Sequence, residues 1–171
     1  MSILIRRALS CDLDAIMQIQ AQAYGTDLLE SREVMQSRVQ MPDSISCVLE
    51  NTGSVQAYLL MYISQRGYIS AFNAPFNPAQ PANNTSSCLY LHDIACAKNS
   101  QGKGYAQQLL QHATQLAHAS HCQSLALVAV QDALPFWQKQ GFQTQDLTSA
   151  QARQQLAGYG QAWYCVKNLS D

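Results

Sequence analysis

Residues 89–106 read Leu-Tyr-Leu-His-Asp-Ile-Ala-Cys-Ala-Lys-Asn-Ser-Gln-Gly-Lys-Gly-Tyr-Ala, and the fold turns on how they divide. The stretch from Cys88 to Ala97 is rich in β-formers and predicts a strand. Gln101-Gly102-Lys103-Gly104 then leads straight into Tyr105, Ala106, Leu109, Leu110, Ala113, Leu116 and Ala117, the apolar stripe of an amphipathic helix. A glycine-rich turn between strand and helix suits an anion. Small residues let backbone N–H groups approach a phosphate, and the helix N-terminus adds a partial positive charge. Two nucleotide motifs fail at this turn. A P-loop needs Gly-Lys-Ser/Thr after a longer loop, but Gly104 is followed by Tyr105. A dinucleotide fingerprint needs a third glycine where Gln107 stands. Gln/Arg-x-x-Gly-x-Gly/Ala remains, met by Gln101, Gly104 and Ala106.

Elements on either side follow from their periodicity. Ile3 to Ala8 reads as a strand; Ser10 and Asp12 are placed to cap a helix carrying Leu13, Ile16, Met17, Ile19 and Ala23, which Gly25 stops. A second short helix spans about residues 31–40 and ends at Pro42. Ile45–Glu50 and Val55–Ile63 form a hairpin about Asn51-Thr52-Gly53. Residues 64–87 hold Pro75, Pro78 and Pro81 among several asparagines and read as one long loop, with Phe72 and Phe76 as candidate lid residues. Beyond the central helix come a strand over Ser124–Val130, a short helix capped by Asp132 and ending at Gly141, and strands over Phe142–Leu147 and Ala162–Leu169. No repeat or linker interrupts this order, so residues 1–171 are read as a single domain.

Composition narrows the partners. Charged residues make up only 12% of the chain, the net charge is −1, and no basic cluster exceeds Arg6-Arg7. Backbone-driven nucleic-acid binding needs clustered Lys and Arg, so that class is excluded. The longest apolar run, Ala57–Ile63, is far too short to span a bilayer, and the opening residues lack the order of a secretory signal; the cytoplasm is the expected location, with no membrane partner. Six scattered cysteines contain no Cys-x-x-Cys pair and do not look like a metal site, so no metal is expected.

The six-residue motif and its context resemble the GCN5-related N-acetyltransferase (GNAT) superfamily. Leu89–Cys96 looks like that family's fourth strand. Leu127-Val128-Ala129-Val130 and Phe136-Trp137-Gln138-Lys139-Gln140-Gly141-Phe142 look like its second CoA motif. The resemblance implies an α/β (α+β) fold: a mixed, mostly antiparallel sheet with helices on both faces and a splayed parallel pair of central strands. It also implies acetyl-CoA as co-substrate. Pantetheine would meet Ile94, Ala95 and Cys96, and the pyrophosphate would meet Gly102, Lys103, Gly104, Tyr105 and Ala106. Gln101 stands where Arg is commoner, and Gln131 and Trp137 complete the cofactor-contacting set.

The implied reaction moves an acetyl or other short acyl group to a primary amine of a small molecule or peptide. An alkyl ammonium must first lose a proton, since a Lys-like amine has a pKa of about 10.4. His92 and Asp93 are the base candidates. Regular pleating points Tyr90, His92 and Ile94 to one face and Leu91, Asp93 and Ala95 to the other. The resemblance puts the substrate cleft on the first of these faces, which favours His92. Family members often carry a Tyr as proton donor where this chain has Trp137, so Tyr159, between two glycines, is the substitute candidate. A non-catalytic acyl-CoA-binding module is the alternative reading. The oligomeric state stays open, a homodimer being the commonest symmetric assembly.

Overall fold

The computed structural model describes residues 2–42, 44–75 and 87–170. Strand β1 (Ile3–Arg7) is followed by helices α1 (Leu13–Ala23) and α2 (Arg32–Gln40), then by strands β2 (Cys47–Asn51), β3 (Ser54–Gln65) and β4 (Ser87–Cys96). Helix α3 (Tyr105–Ala119), strand β5 (Ser124–Val130), helix α4 (Leu134–Lys139), strand β6 (Gln143–Thr144), helix α5 (Ala150–Ala157) and strand β7 (Ala162–Asn168) complete the order. The strands form one mixed sheet in the order β1-β2-β3-β4-β5-β7-β6, in which only β4 and β5 run parallel. The expected architecture is therefore present. No helix among the described residues is long and apolar enough to cross a membrane.

The sheet buries both faces. Leu109, Leu110, Ala113 and Ala117 of α3 pack on Leu49, Leu59, Leu89, Leu125 and Leu127, with Trp137 of α4 on the same side. On the other face α1 and α2 lay Ile16, Ile19, Met35 and Val39 over Val48, Tyr58 and Leu60. Beyond them Tyr62, Tyr90, Tyr164 and Val166 meet Ile69 and α5. Cysteines serve this core as small hydrophobes. Burial pushes the Cys47 and Cys88 thiols up to about 12, so they stay protonated.

Several local expectations need correction. Asp12 does not cap α1: its carboxylate accepts two bonds from Arg6, at 2.7 and 2.8 Å, and the Leu9 N–H at 2.8 Å. Gly25 does not terminate that helix through a left-handed turn, since its φ is −69°; the chain leaves the helix one residue earlier, at an extended Tyr24. Asp132 lies in a 3-10 turn and caps nothing. The strand expected over Phe142–Leu147 shrinks to Gln143–Thr144, while α5 forms in a stretch given no element by its sequence. Its apolar content is slight, and it relies on Ser149 accepting from the Ala152 N–H and on packing of Ala152 and Leu156.

Candidate active site

The parallel pairing of β4 with β5 covers only Cys88–Leu91 against Ser124–Leu127. Past Leu91 the strands part, and a cavity of about 320 Å³ opens between them, walled by Ile94 and Cys96 on one side and Val128 and Val130 on the other. The backbone of β4 supplies its polar edge. The Ala97 N–H donates to the Gln56 carbonyl of the β3 side, 2.8 Å away. Successive residues of a strand turn their backbone groups to opposite neighbours. Ile94 and Cys96 therefore face the gap, whereas Ala95 faces β3, where it pairs with Tyr58. The Tyr24 hydroxyl reaches the Ile94 carbonyl at 2.9 Å, in keeping with that direction.

The glycine turn closes one side of this cavity through Gln101 and Ala106. Gly102 and Gly104 both adopt φ +76°, the left-handed region that favours glycine. A Cβ on Gly102 would meet nothing within 4 Å, and one on Gly104 only the Gln107 side chain at 3.8 Å. The turn is thus an open cradle. Gly104 caps α3 and accepts from the Gln108 N–H, which leaves the first-turn N–H groups without helical partners. One of these, on Ala106, is directed at the half-buried Cys96 thiol, which burial nonetheless keeps above its ordinary value. Lys103 is exposed beside the cradle. Tyr105 contributes no side chain there: it is buried in the core and its hydroxyl accepts from Asn51 at 3.0 Å. Gln131 lies off the cavity wall with φ +51°, its N–H donating to the Gln161 carbonyl.

The expected alternation of His92 and Asp93 does not hold. Leu60 pairs with Asp93 but Met61 pairs with Leu91, so His92 is an extra residue in β4, a β-bulge. Leu89 and Leu91 pack towards α3 before the bulge, as do Ile94 and Cys96 after it. The slip leaves His92 and Asp93 side by side on the α1–α2 face, where both find partners. The His92 Nε2 meets the Glu30 carboxylate at 2.5 Å, and both side chains are almost fully buried. Glu30 precedes α2, where the Gln20 side chain brackets its backbone by accepting from its N–H at 2.9 Å and donating to its carbonyl at 3.1 Å. The second Glu30 oxygen accepts from the Asn73 N–H at 3.0 Å and lies 3.5 Å from Arg38 Nη2. Burial alone would raise the Glu30 carboxyl, but the charge and bond of His92, with help from Arg38 and Asn73, hold it below the usual range. A carboxylate can only accept, so Nε2 carries the shared proton, and when the ring is neutral Nδ1 keeps its lone pair. That Nδ1 is buried and has no partner among the described residues.

Asp93 is held differently. Tyr24 and Tyr58 donate their hydroxyls to its two oxygens, each at 2.7 Å. Burial raises its carboxyl more than these phenols and the nearby His92 lower it, so its proton is retained to higher pH than usual. Tyr159 lies in the cavity wall, stacked edge-on with Phe72 at 5.5 Å, and gives its hydroxyl proton to the Ser70 carbonyl at 2.7 Å. Burial pushes its phenol well up, which weakens it as an acid. Trp137 is buried between Phe136 and Phe142 and presents to the same cavity. Phe76 lies outside the described residues. Sequence reasoning missed Glu30, Tyr24 and Tyr58, which stand 62, 69 and 35 positions from their β4 partners, and Arg38, which reaches β4 only through Glu30. No linear motif marks them.

Comparison with known proteins agrees with this geometry. No curated protein matches the chain by sequence. Among the solved structures that share its fold at low identity are the three that follow. One is N-acetylglutamate synthase from Neisseria gonorrhoeae complexed with coenzyme A and N-acetyl-glutamate, with a TM-score of 0.71 and 18% identity; the match covers all of this chain but only 36% of that one. The ribosomal-protein-S18-alanine N-acetyltransferase from Escherichia coli gives 0.71 and 16%, covering 99% of this chain and 96% of its own. The PaiA N-acetyltransferase from Thermoplasma acidophilum, in complex with coenzyme A, gives 0.69 and 14%, covering 99% and 100%. A family model described as Acetyltransferase (GNAT) family matches residues 13–142, which run from the start of α1 past the glycine turn to the end of the α4 segment. On that match, the chain belongs to the GNAT acetyltransferase family.

Proposed function

We propose that the protein is an N-acyltransferase that carries an acetyl or other short acyl group from acyl-CoA to a primary amine. The observation that carries this reading is the Glu30–His92 pair on the wall of the split between β4 and β5, with Nδ1 of His92 left without a partner among the described residues. The left-handed Gly102-Lys103-Gly104 cradle and the free N–H groups opening α3 fit a pyrophosphate. Ile94 and Cys96, with backbone turned into the gap, fit the amides of a pantetheine arm, and Trp137 shapes the wall beside it.

In this reading His92 takes a proton from the ammonium and Glu30 fixes the imidazole in the tautomer that can do so. The free amine attacks the thioester carbonyl and an N–C bond forms; the C–S bond breaks, the proton held by His92 passes to the departing thiolate, and the nitrogen releases its second proton to solvent to leave the amide. A thiol has a reference pKa of about 8.5, so the thiolate is a tolerable leaving group near neutral pH. Tyr159 would have to release the Ser70 carbonyl to help, and its raised phenol is poorly matched to the task. Asp93, committed to two phenols, is read as holding Tyr24 against the Ile94 carbonyl, not as the base.

The test is acetyl-CoA turnover against an amine library, read as free thiol. Thiol release with at least one amine is expected, with His92→Ala losing on the order of 100-fold or more in kcat while CoA affinity stays intact. Tight acetyl-CoA binding with no release for any amine would instead make this an acyl-CoA-binding module.

A further inference from the structure

The wall of the cavity limits what amine it can accept, and this inference rests on the N-acyltransferase reading above. Its carboxyl and imidazole side chains are Glu30, Asp93 and His92, and no Lys or Arg lines it among the described residues. Arg38 stands behind Glu30, is 1% exposed and does not line the cavity, although its Nε and Nη1 have no partner among the described residues. Residues 67–91 contain no Lys or Arg. Arg66 is turned outwards to Gln145 and Asn168.

The phenol donors beside His92 are equally committed. The Tyr24 hydroxyl is spent on Asp93 and Ile94, and that of Tyr159 on Ser70. With Nε2 of His92 donated to Glu30, the imidazole offers a lone pair and no proton. The remaining wall near these groups is apolar: Leu28, Phe72 and Phe136. Among the described residues the wall beside His92 thus presents an acceptor for an N–H and no cation or uncommitted side-chain donor to receive an anion.

We infer that the acceptor is a primary amine whose reacting carbon bears apolar or uncharged groups, and that a carboxylate on that carbon excludes a compound from the site. A free α-amino acid would have to bury its carboxylate against Leu28 or Phe72 with no cation or donor to meet it. An uncompensated buried charge is strongly unfavourable.

Matched compounds isolate this effect. Phenethylamine is L-phenylalanine without the carboxylate, and L-phenylalaninol replaces that group by an uncharged one of similar bulk; pentylamine and L-norleucine form an aliphatic pair. The intact chain would be assayed with each and with acetyl-CoA. The amines and the amino alcohol are expected to exceed the amino acids in kcat/KM by on the order of 100-fold or more. An amino acid within tenfold of its decarboxylated partner would overturn the inference and leave the transferase reading standing. L-phenylalaninol as poor as L-phenylalanine, beside a reactive phenethylamine, would also overturn it, because bulk and not charge would then decide. Absence of thiol release from every compound, with acetyl-CoA bound by calorimetry, would overturn both readings together.

Discussion

At the scale of single residues, the carboxylates Glu30 and Asp93 sit close to one imidazole yet are displaced in opposite directions. Glu30 titrates below the usual range and Asp93 above it. Glu30→Gln keeps the shape but can donate as well as accept, so the imidazole loses the partner that fixes its tautomer. The expected result is a fall in kcat on the order of 100-fold with CoA affinity unchanged, measured by steady-state kinetics beside calorimetry. Asp93 yields a stability prediction. Its folded-state pKa is raised, so its contribution is fully present below the unfolded value of about 3.9 and is lost as pH rises through the folded one. Asp93→Asn does not titrate, and its amide can still meet both phenols. The variant should therefore gain on the wild type as pH increases, and melting scans at pH 4.5 and pH 8 should show the difference moving in its favour. A constant difference would mean that Asp93 ionises as freely folded as unfolded. Glu30 has the opposite sign, its contribution disappearing as pH falls through its lowered folded value.

At the scale of elements, the glycine turn was the most legible part of the site and the bulge the least. Gly102 and Gly104 announce themselves because few other residues fit a left-handed turn before a helix, and both have φ +76°. Gly104→Val should be folded but less stable by about 1–2 kcal/mol, the cost of placing a side chain in that backbone region. Little of that cost is steric, the nearest atom to a Cβ being a flexible glutamine tip at 3.8 Å. Acetyl-CoA affinity should fall strongly, since the added side chain enters the cradle; unchanged affinity by calorimetry would remove the turn from the binding site. Leu89–Cys96 could be read as a strand, but the extra residue at His92 could not, because a bulge depends on the register of the partner strand. Helix α5 escaped notice for a related reason. Its sequence, Ala-Gln-Ala-Arg-Gln-Gln-Leu-Ala, has too few apolar positions to show a period, and tertiary packing of Ala152 and Leu156 decides it.

At the scale of the whole molecule, order of elements and sheet architecture were readable because each strand and helix carries its own period. The Glu30–His92–Arg38 assembly was not, since its members come from separate elements that only the finished fold brings together. The split sheet makes a global prediction. A ligand bridging β4 and β5 stabilises the chain by about 2.7 kcal/mol at a concentration 100 times its Kd. For a domain of this size that is a rise in Tm of about 5–10 °C with CoA. Hydrogen exchange should slow at the Ile94 and Cys96 amides that face the gap; no change at either amide, with CoA bound, would show that the cofactor lies elsewhere. Mechanically, the sheet is two plates joined along one short seam. Strands β1 to β4 form one plate and β5 to β7 the other, and only the Cys88–Leu91 pairing with Ser124–Leu127 welds them within the sheet. Tension applied between β1 and β7 loads that weld, so a molecule lodged in the gap acts as a rivet, and the force needed to pull the plates apart becomes a direct gauge of its presence.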